Sequence, residues 1–241
     1  MIGTELLDDP GADAAAVRAE LEDIARLNAL FGGTRAVVGE LEPVFRAAAR
    51  RPGPGPGRAA TWTLLDVGTG MGDIPRAAAA AARRHGIALR LVGIERHFAA
   101  ACLARDADRA TPLALVRADG GAPPLAEHSV DIVIASQVLH HRPSAVATRW
   151  IAGFDRLARR VVVLADLRRS RLAMAGVWAA ALALRMDRVT RHDAVVSLRR
   201  GYTTREFDAL LAAAGIRTAA RRRLGFRIVA SWRPRGAPGD P

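Results

Sequence analysis

A glycine-rich turn between an apolar run and a helix-length segment is the part of this sequence best suited to bind a ligand. The turn is Asp66-Val-Gly-Thr-Gly-Met-Gly72. Backbone without a Cβ can approach a ligand closely, and the free N–H groups at a helix start can bind polar atoms. A dinucleotide-binding fingerprint would need a glycine at position 73, where this chain has Asp73. Asp66 would repel a pyrophosphate but would accept a hydrogen bond from an ammonium group.

Two adjacent histidines are the candidates for acid–base chemistry. His140 and His141 follow the apolar run 130–135 and the polar pair Ser136-Gln137. A neutral histidine, with an ordinary pKa of about 6.5, can assist the ionisation of a phenol, whose pKa is about 10. Either histidine is therefore a candidate general base, and helix capping or core packing is the alternative role of each. Two histidines without further ligands do not make a metal site, so none is expected.

The spacing of apolar residues predicts the elements that position these groups. Apolar runs alternate with helix-length segments, which indicates a parallel sheet covered by helices on both faces. The predicted strands are 62–67, 88–94, 113–117, 130–135 and 160–165, followed by 216–223 and 225–232. The predicted helices between and after them are 73–85, 97–108, 144–157 and 204–214. The fold class is thus α/β, a three-layer sandwich around a mostly parallel seven-stranded sheet.

The N-terminal part, residues 1–57, is predicted to be a helical segment that covers the strand ends. One helix is expected over 14–30, and a second runs from Thr34, its expected N-cap, to about residue 50. A Pro-Gly linker at 51–57 can be neither helix nor strand. Residues 58–241 would form the main domain.

A cap insertion is predicted within the main domain, at about 168–202, after the fifth strand. It would consist of an apolar helix over 170–186 and a polar connector over 187–202. Such an insertion can close over the strand ends and make an acceptor pocket. The polar residues expected to contact a substrate there are Arg168, His192 and Arg200.

Composition limits the partners and the compartment. The net charge is +12, but the arginines are scattered in short pairs, so nucleic-acid binding is disfavoured. The single cysteine, Cys102, cannot form an intramolecular disulfide, which favours the reducing cytoplasm. The longest uncharged apolar run, 172–184, is shorter than the roughly 20 residues that span a bilayer. A homodimer is compatible with the sequence.

The glycine turn and three later strand ends together resemble the class I S-adenosylmethionine-dependent methyltransferases. Asp-x-Gly-x-Gly-x-Gly after a first strand is similar to motif I of that family. The resemblance implies that Glu95 holds the ribose hydroxyls, that Asp119 binds the adenine amino group, and that the end of strand 130–136 touches the methionine part. The implied fold is Rossmann-like. The residues implied to bind the cofactor are Asp66, Gly68, Thr69, Gly70, Gly72, Glu95, Arg96, Asp119, Gly120, Ser136 and Gln137.

Segments beyond the shared core resemble bacterial small-molecule methyltransferases of the ubiquinone/menaquinone type, a group often linked with polyketide products. This resemblance implies O-methylation of a small hydroxylated aromatic, a quinol or a polyketide-type phenol. Amino methylation of a nucleobase usually needs Asp/Asn-Pro-Pro-aromatic, which the run Ser136-Gln137-Val138-Leu139 lacks. Cys102 stands away from the place of a cytosine-methylating nucleophile. Methylation of RNA at ribose or a ring nitrogen, and a non-catalytic cofactor-binding subunit, remain as alternatives.

Overall fold

A seven-stranded sheet forms the centre of the molecule. The computed structural model describes residues 5–9, 11–50, 60–107, 110–170, 173–176 and 188–236. The strands are β1 (Ala60–Val67), β2 (Ile87–Ile94), β3 (Leu113–Val116), β4 (Val130–Ser136), β5 (Ala158–Leu167), β6 (Arg221–Arg223) and β7 (Arg227–Trp232). Their spatial order is β3-β2-β1-β4-β5-β7-β6. The predicted Rossmann-like, mostly parallel sheet is therefore confirmed.

The order of the strands creates a crevice at one edge of the sheet. β1 to β5 pair in parallel, and β7 runs antiparallel to β5 and to β6. The chain winds outward from β1 to β2 and β3, and then returns to place β4 on the other side of β1. Ligands of open α/β sheets bind beyond the carboxyl ends of the strands at such a reversal. The ends of β1 and β4 are therefore where a ligand cavity is expected.

Helices cover both faces of the sheet. They are α1 (Ala14–Leu30), α2 (Gly33–Ala49), α3 (Asp73–Arg83), α4 (Phe98–Ala107), α5 (Ser144–Leu157), α6 (Arg188–Arg200) and α7 (Thr204–Ala213). α5 and α7 pack on one face through Phe154 and Phe207, both fully buried. α2 and α3 pack on the other, where Phe45 and Leu41 contribute. No described helix is both long and apolar enough to cross a membrane.

The second N-terminal helix packs on the sheet rather than over the strand ends. Apolar residues of α2 share one core with β1, β4 and β5. α1 instead packs on α4 through Val17, Leu21 and Leu103. Of the two predicted N-terminal helices, α1 is thus the one that covers the crevice. The predicted linker and domain boundary fall at 51–59, outside the described residues.

Three local predictions were wrong. The N-cap of α2 is Gly32, in the left-handed conformation, rather than Thr34. The polar connector predicted at 187–202 is largely the helix α6, whose polar face meets other polar groups of the protein instead of solvent. The strand predicted at 216–223 is reduced to β6, because the backbone N–H of Ala220 donates to the side chain of Asp208 instead of to a neighbouring strand. The apolar helix predicted at 170–186 lies mostly outside the described residues, although residues 173–176 are helical.

Candidate functional site

A cavity lies at the carboxyl ends of β1, β2 and β4, beneath α1 and α6. Residues of all five elements line it, together with the segment before α1 and the start of β7. The predicted site residues that line it are Asp66, Gly68, Thr69, Gly70, Glu95, Arg96, Gly120, Ser136, Gln137, His140 and His141. The strand ends that are separate in the sequence thus meet at one place.

The glycine turn is shaped by its first glycine. Gly68 has a φ of +72°, and its N–H and that of Thr69 both donate to the carbonyl of Ile94 on β2. A Cβ at Gly68 would lie 2.2 Å from Cγ1 of Val138 in the segment after β4. The turn therefore needs glycine here for its backbone conformation and for its close contact with the neighbouring strand end.

Replacing Gly68 with alanine should destabilise the fold more than the same change at Gly86. Gly86 has the same φ of +72°, but nothing lies within 4 Å of the place of its Cβ. In both variants an alanine in the left-handed conformation lowers the free energy of unfolding by about 1–2 kcal/mol. Only Gly68→Ala also places a methyl group against Val138, and this steric overlap should cost about 1–3 kcal/mol more. Urea unfolding of the two variants measures the difference. Equal destabilisation would show that Val138 moves away freely.

Asp66 is a buried carboxyl group at the end of β1. Its only hydrogen bond among the described residues is the one accepted from the Thr69 hydroxyl, at 2.8 Å. Burial raises the pKa of Asp66 to about 7; the Thr69 hydrogen bond opposes this rise, and the nearby charges of Asp73 and Glu95 add to it. An ammonium group in the cavity would compensate the ionised form.

Cofactor affinity should therefore rise with pH through the titration of Asp66. If the cofactor's ammonium pairs with the carboxylate, binding weakens up to tenfold per pH unit below the pKa, so roughly tenfold is expected between pH 7 and pH 5.5. The stability of the unliganded protein should change in the opposite direction. A folded-state pKa above the ordinary value of 3.8 means that stability is lost as pH rises towards about 7. Isothermal titration with S-adenosylhomocysteine measures the affinity.

The control for this pH dependence is Asp66→Asn, which keeps the shape of the side chain and cannot ionise. Its affinity should vary much less over the same pH range. A slope in the variant equal to that of the wild type would assign the titration to another group.

Glu95 connects the glycine turn to the second strand end. Its two carboxylate oxygens accept hydrogen bonds from the backbone N–H of Gly70, at 3.2 Å, and of His97, at 2.9 Å. The next residue, Arg96, donates to the backbone carbonyl of Asp8 and so ties the N-terminal segment to this end of the cavity. Glu95 can hold two hydroxyl groups of a ligand with its remaining lone pairs.

His140 is oriented by a buried carboxylate. Its Nδ1 lies 2.6 Å from Oδ1 of Asp166, the penultimate residue of β5, and both side chains are inaccessible to solvent. Burial tends to raise the pKa of Asp166, but the charge and hydrogen bond of His140 outweigh it and hold that pKa below its ordinary value. The other ring nitrogen, Nε2, is buried and has no hydrogen-bond partner among the described residues.

His141 belongs to an ionic cluster with the N-terminal segment. Its Nδ1 lies 2.9 Å from a carboxylate oxygen of Asp8, and Arg200 of α6 donates to both Asp8 and Glu5. The Asp8 pKa is lowered, since hydrogen bonds from His141 and Arg200 outweigh its burial. His141 is therefore held by structural partners, and its ring centroid lies 4.2 Å from that of His140.

Among the described residues, Glu5, His140 and His141 are the group that could offer three metal ligands, within 4.8 Å of one another. The Arg200 guanidinium lies 3.5 Å from Nδ1 of His141 and forms an ion pair with Glu5. A positive charge at this distance opposes a cation. The absence of a metal site accordingly stays a prediction.

Two carboxyl groups on α1 and α6 make the same part of the cavity acidic. Glu20 and Asp193 are both buried and line it. Burial and the nearby acids Asp193 and Glu5 raise the pKa of Glu20 to about 8. Asp193 accepts a hydrogen bond from the backbone N–H of Leu6. This acidic part of the cavity, defined by Glu5, Asp8, Glu20 and Asp193, was not predicted, since its residues come from opposite ends of the chain.

Arg227, at the start of β7, is another lining residue that was not predicted from the sequence. Its guanidinium donates to the side-chain oxygens of Gln137, at 2.6 Å, and Asn28, at 3.2 Å. Gln137 in turn donates to Asn28. Gln137 itself has a φ of +58°, unusual for a residue with a Cβ, which marks the end of β4 as strained. No local pattern around Arg227 distinguishes it from the other arginines.

Five of the predicted residues do not line the cavity. Asp119 is exposed, and its carboxylate accepts a hydrogen bond from the N–H of Gly121 two residues on, so it acts here as a turn residue. Gly72 serves as the left-handed N-cap of α3. Arg168 stacks on Phe226, and Arg200 forms ion pairs with Glu5 and Asp8. His192 is exposed on α6.

The central part of the chain is similar to a known protein family. Residues 65–165 match a family model described as a methyltransferase domain. This part of the chain is a methyltransferase domain. The matched span begins near the end of β1 and stops two residues before the end of β5, so it contains the glycine turn, Glu95 and the histidine pair. No curated protein sequence matches the chain.

Solved structures share the fold of this methyltransferase. A methyltransferase dependent on S-adenosylmethionine from Aquifex aeolicus has a TM-score of 0.58 at 15% identity, covering 91% of this chain and 97% of that chain. Magnesium protoporphyrin IX methyltransferase from Synechocystis PCC 6803, solved with bound S-adenosylmethionine, has a TM-score of 0.51 at 16% identity, covering 83% and 78%. The CMeT domain of citrinin polyketide synthase has a TM-score of 0.57 at 13% identity, covering 80% and 51%.

Proposed function

We propose that this methyltransferase methylates a hydroxyl oxygen of a small hydroxylated aromatic, with His140 as the general base. The observation that carries the proposal is the state of the His140 ring. Nδ1 is hydrogen-bonded to the buried Asp166 carboxylate, and the buried Nε2 of this cavity-lining residue has no hydrogen-bond partner among the described residues. A base must have a free lone pair, and Nε2 is the ring nitrogen that can offer one to an acceptor.

Asp166 selects the form of His140 that can act. An ionised carboxylate accepts a hydrogen bond from Nδ1–H, which places the proton of the neutral ring on Nδ1 and the lone pair on Nε2. When Nε2 takes the hydroxyl proton of the acceptor, the ring becomes cationic, and the adjacent carboxylate stabilises that charge. His140 therefore receives the proton, and Asp166 keeps its negative charge throughout.

The cavity fits S-adenosylmethionine by the chemistry of its donors and acceptors. Asp66 is a buried acceptor for an ammonium group, and Glu95 can hold two hydroxyl groups. When bound, this cofactor supplies a methyl carbon on a positively charged sulfur. The protein's part is to align the acceptor hydroxyl with that carbon and to remove its proton.

The apolar lining of the cavity supports an aromatic acceptor. Apolar residues also line the cavity, among them Leu7, Leu167, Leu198 and Phe226. A purely polar ligand would not need such an apolar lining. Such surfaces bind the rings of small acceptors, and a few polar groups then fix the orientation.

Methyl transfer from labelled S-adenosylmethionine tests the proposed function. The purified protein is incubated with quinols, phenols, polyketide-type naphthols and total RNA, and the products are analysed by mass spectrometry and NMR. We expect the label on an aromatic hydroxyl oxygen. A label found on carbon, or in RNA alone, would contradict the proposed O-methylation.

A further inference from the structure

Arg227 is a buried positive charge in the wall of the cavity. It begins β7, beside the end of β5, and only 4% of its surface is exposed. The flanking residues Gly225 and Phe226 also line the cavity. The guanidinium thus belongs to the ligand cavity and not to the outer surface, where most of the arginines of this chain would be expected.

The partners of Arg227 do not neutralise it. Its terminal nitrogens donate to amide oxygens of Gln137 and Asn28, which carry no net charge. Its Nε is buried and has no hydrogen-bond partner in the part of the chain that the structure describes. Among the described residues, no carboxylate forms an ion pair with this guanidinium. Asp166 is near enough to act on it electrostatically, but that carboxylate is already bonded to His140 and the backbone of Leu167.

Arg227 remains protonated, and therefore positively charged, despite its burial. Burial lowers the pKa of Arg227 to about 10, which the charge of Asp166 opposes, and the group is still cationic at neutral pH. An uncompensated buried charge is costly, and native proteins neutralise such charges with a partner. The described residues contain no such ion-pair partner for Arg227, and its charge lines a ligand cavity, so a ligand is a candidate source of the partner.

We propose that Arg227 binds a carboxylate of a ligand in this cavity. A guanidinium offers a planar set of N–H donors that matches the two oxygens of a carboxylate. The amides of Asn28 and Gln137 hold its terminal nitrogens, and Asn28 is itself packed against Gly33, where a Cβ would lie 2.4 Å from its oxygen. The donor set is therefore fixed before a ligand arrives.

The distribution of charge in the cavity favours a carboxylate at this position. In the acidic part of the cavity, the guanidinium of Arg200 already forms ion pairs with Glu5 and Asp8. Arg227 is the buried guanidinium without an acidic partner among the lining residues that the structure describes. An anionic ligand group would therefore meet an unpaired positive charge near the end of β4, where Gln137 accepts a hydrogen bond from Arg227.

Two ligands could supply the carboxylate: the methionine part of the cofactor, or an acidic acceptor. The first experiment compares S-adenosylmethionine with its decarboxylated form, by isothermal titration with wild type, Arg227→Met and Arg235→Met. If the cofactor is the source, the wild type binds S-adenosylmethionine at least about tenfold more tightly, and Arg227→Met loses that preference. Arg235 pairs with Asp155 beyond the far end of β7 and does not line the cavity, so its variant should keep the preference.

The second experiment tests the acceptor as the source. The protein is saturated with S-adenosylhomocysteine, and binding of 4-hydroxybenzoate and 4-hydroxybenzamide is measured for the same three proteins. If the acceptor is the source, the wild type prefers the carboxylate about tenfold or more, and Arg227→Met does not.

The proposal is overturned if Arg227→Met leaves both preferences as they are in the wild type, or if the wild type shows neither. Arg227→Lys keeps the charge but not the planar set of donors, and should restore part of whichever preference is lost. Thermal unfolding of unliganded Arg227→Met should show no loss of stability beyond that of Arg235→Met, since the change removes a buried unpaired charge. All these measurements are of binding or stability, so they stand apart from the proposed base His140.

Discussion

The variant His140→Ala should lose methyl transfer while it still binds the cofactor. A positioned general base contributes about 10²–10⁴ in rate, so kcat should fall at least about a hundredfold. His140 lines the cavity but contacts neither Asp66 nor Glu95, and so the dissociation constant of S-adenosylhomocysteine should change less than about threefold, the scale of ordinary context effects. Single-turnover rates with saturating cofactor and acceptor measure the loss.

The neighbouring histidine is the matched control for this experiment. His141 is equally close to the end of β4, but its Nδ1 is held by Asp8 and the ion pairs of Arg200 surround it. His141→Ala should therefore reduce kcat much less than His140→Ala. Asp166→Asn should reduce kcat strongly, because an amide can stabilise the wrong ring tautomer. Full activity of both histidine variants would exclude the pair as the base.

The second large effect is expected on cofactor binding, in Glu95→Ala. Hydrogen bonds to a charged group contribute about 1.5–3 kcal/mol each, so losing the contacts to two ribose hydroxyls should weaken binding about a hundredfold or more. The same change releases the backbone N–H groups of Gly70 and His97. Isothermal titration with S-adenosylhomocysteine measures the affinity, and circular dichroism confirms that the fold is retained.

Two further variants separate the ligand effect from the loop effect. Glu95→Gln keeps one side-chain oxygen for the backbone N–H groups, and should bind the cofactor more tightly than Glu95→Ala. Glu42→Ala removes an acid that pairs with Arg84 and His85 outside the cavity, and should bind the cofactor as the wild type does. If Glu95→Ala retained wild-type affinity, Glu95 would be a turn residue and not a ligand-binding one.

The parts of the site that the sequence predicts well are those carried by consecutive residues. Glycines at 68, 70 and 72 all have positive φ, as a tight turn into a helix requires. Strand ends were identifiable because buried parallel strands are nearly continuous apolar runs that stop at a polar residue. The capping box of Thr203 and Glu206 at the start of α7 is also a local pattern, because its two residues are three apart in the sequence.

Two local patterns had more than one interpretation. Asp119 follows the third strand as expected, and its exposed carboxylate accepts a hydrogen bond from the N–H of Gly121, while its contact with the adenine amino group stays a prediction. α6 has a weak apolar stripe, since Asp193 and Ser197 face polar partners inside the protein, and a polar helix face buried in this way resembles a loop in the sequence. The hydrophobic periodicity alone does not distinguish the two.

What the sequence by itself determined is the sheet, the glycine turn and the identity of the methyl donor, because each depends on neighbours along the chain. What only the tertiary structure decided is how distant residues share a charge or a proton. Asp166 orients His140 from 26 positions away, and Asn28 reaches Arg227 across 199 positions. Such pairs produce no recognisable short-range pattern in the sequence, because only the folded structure brings their residues together. The unneutralised charge of Arg227 became visible only once its surroundings were known.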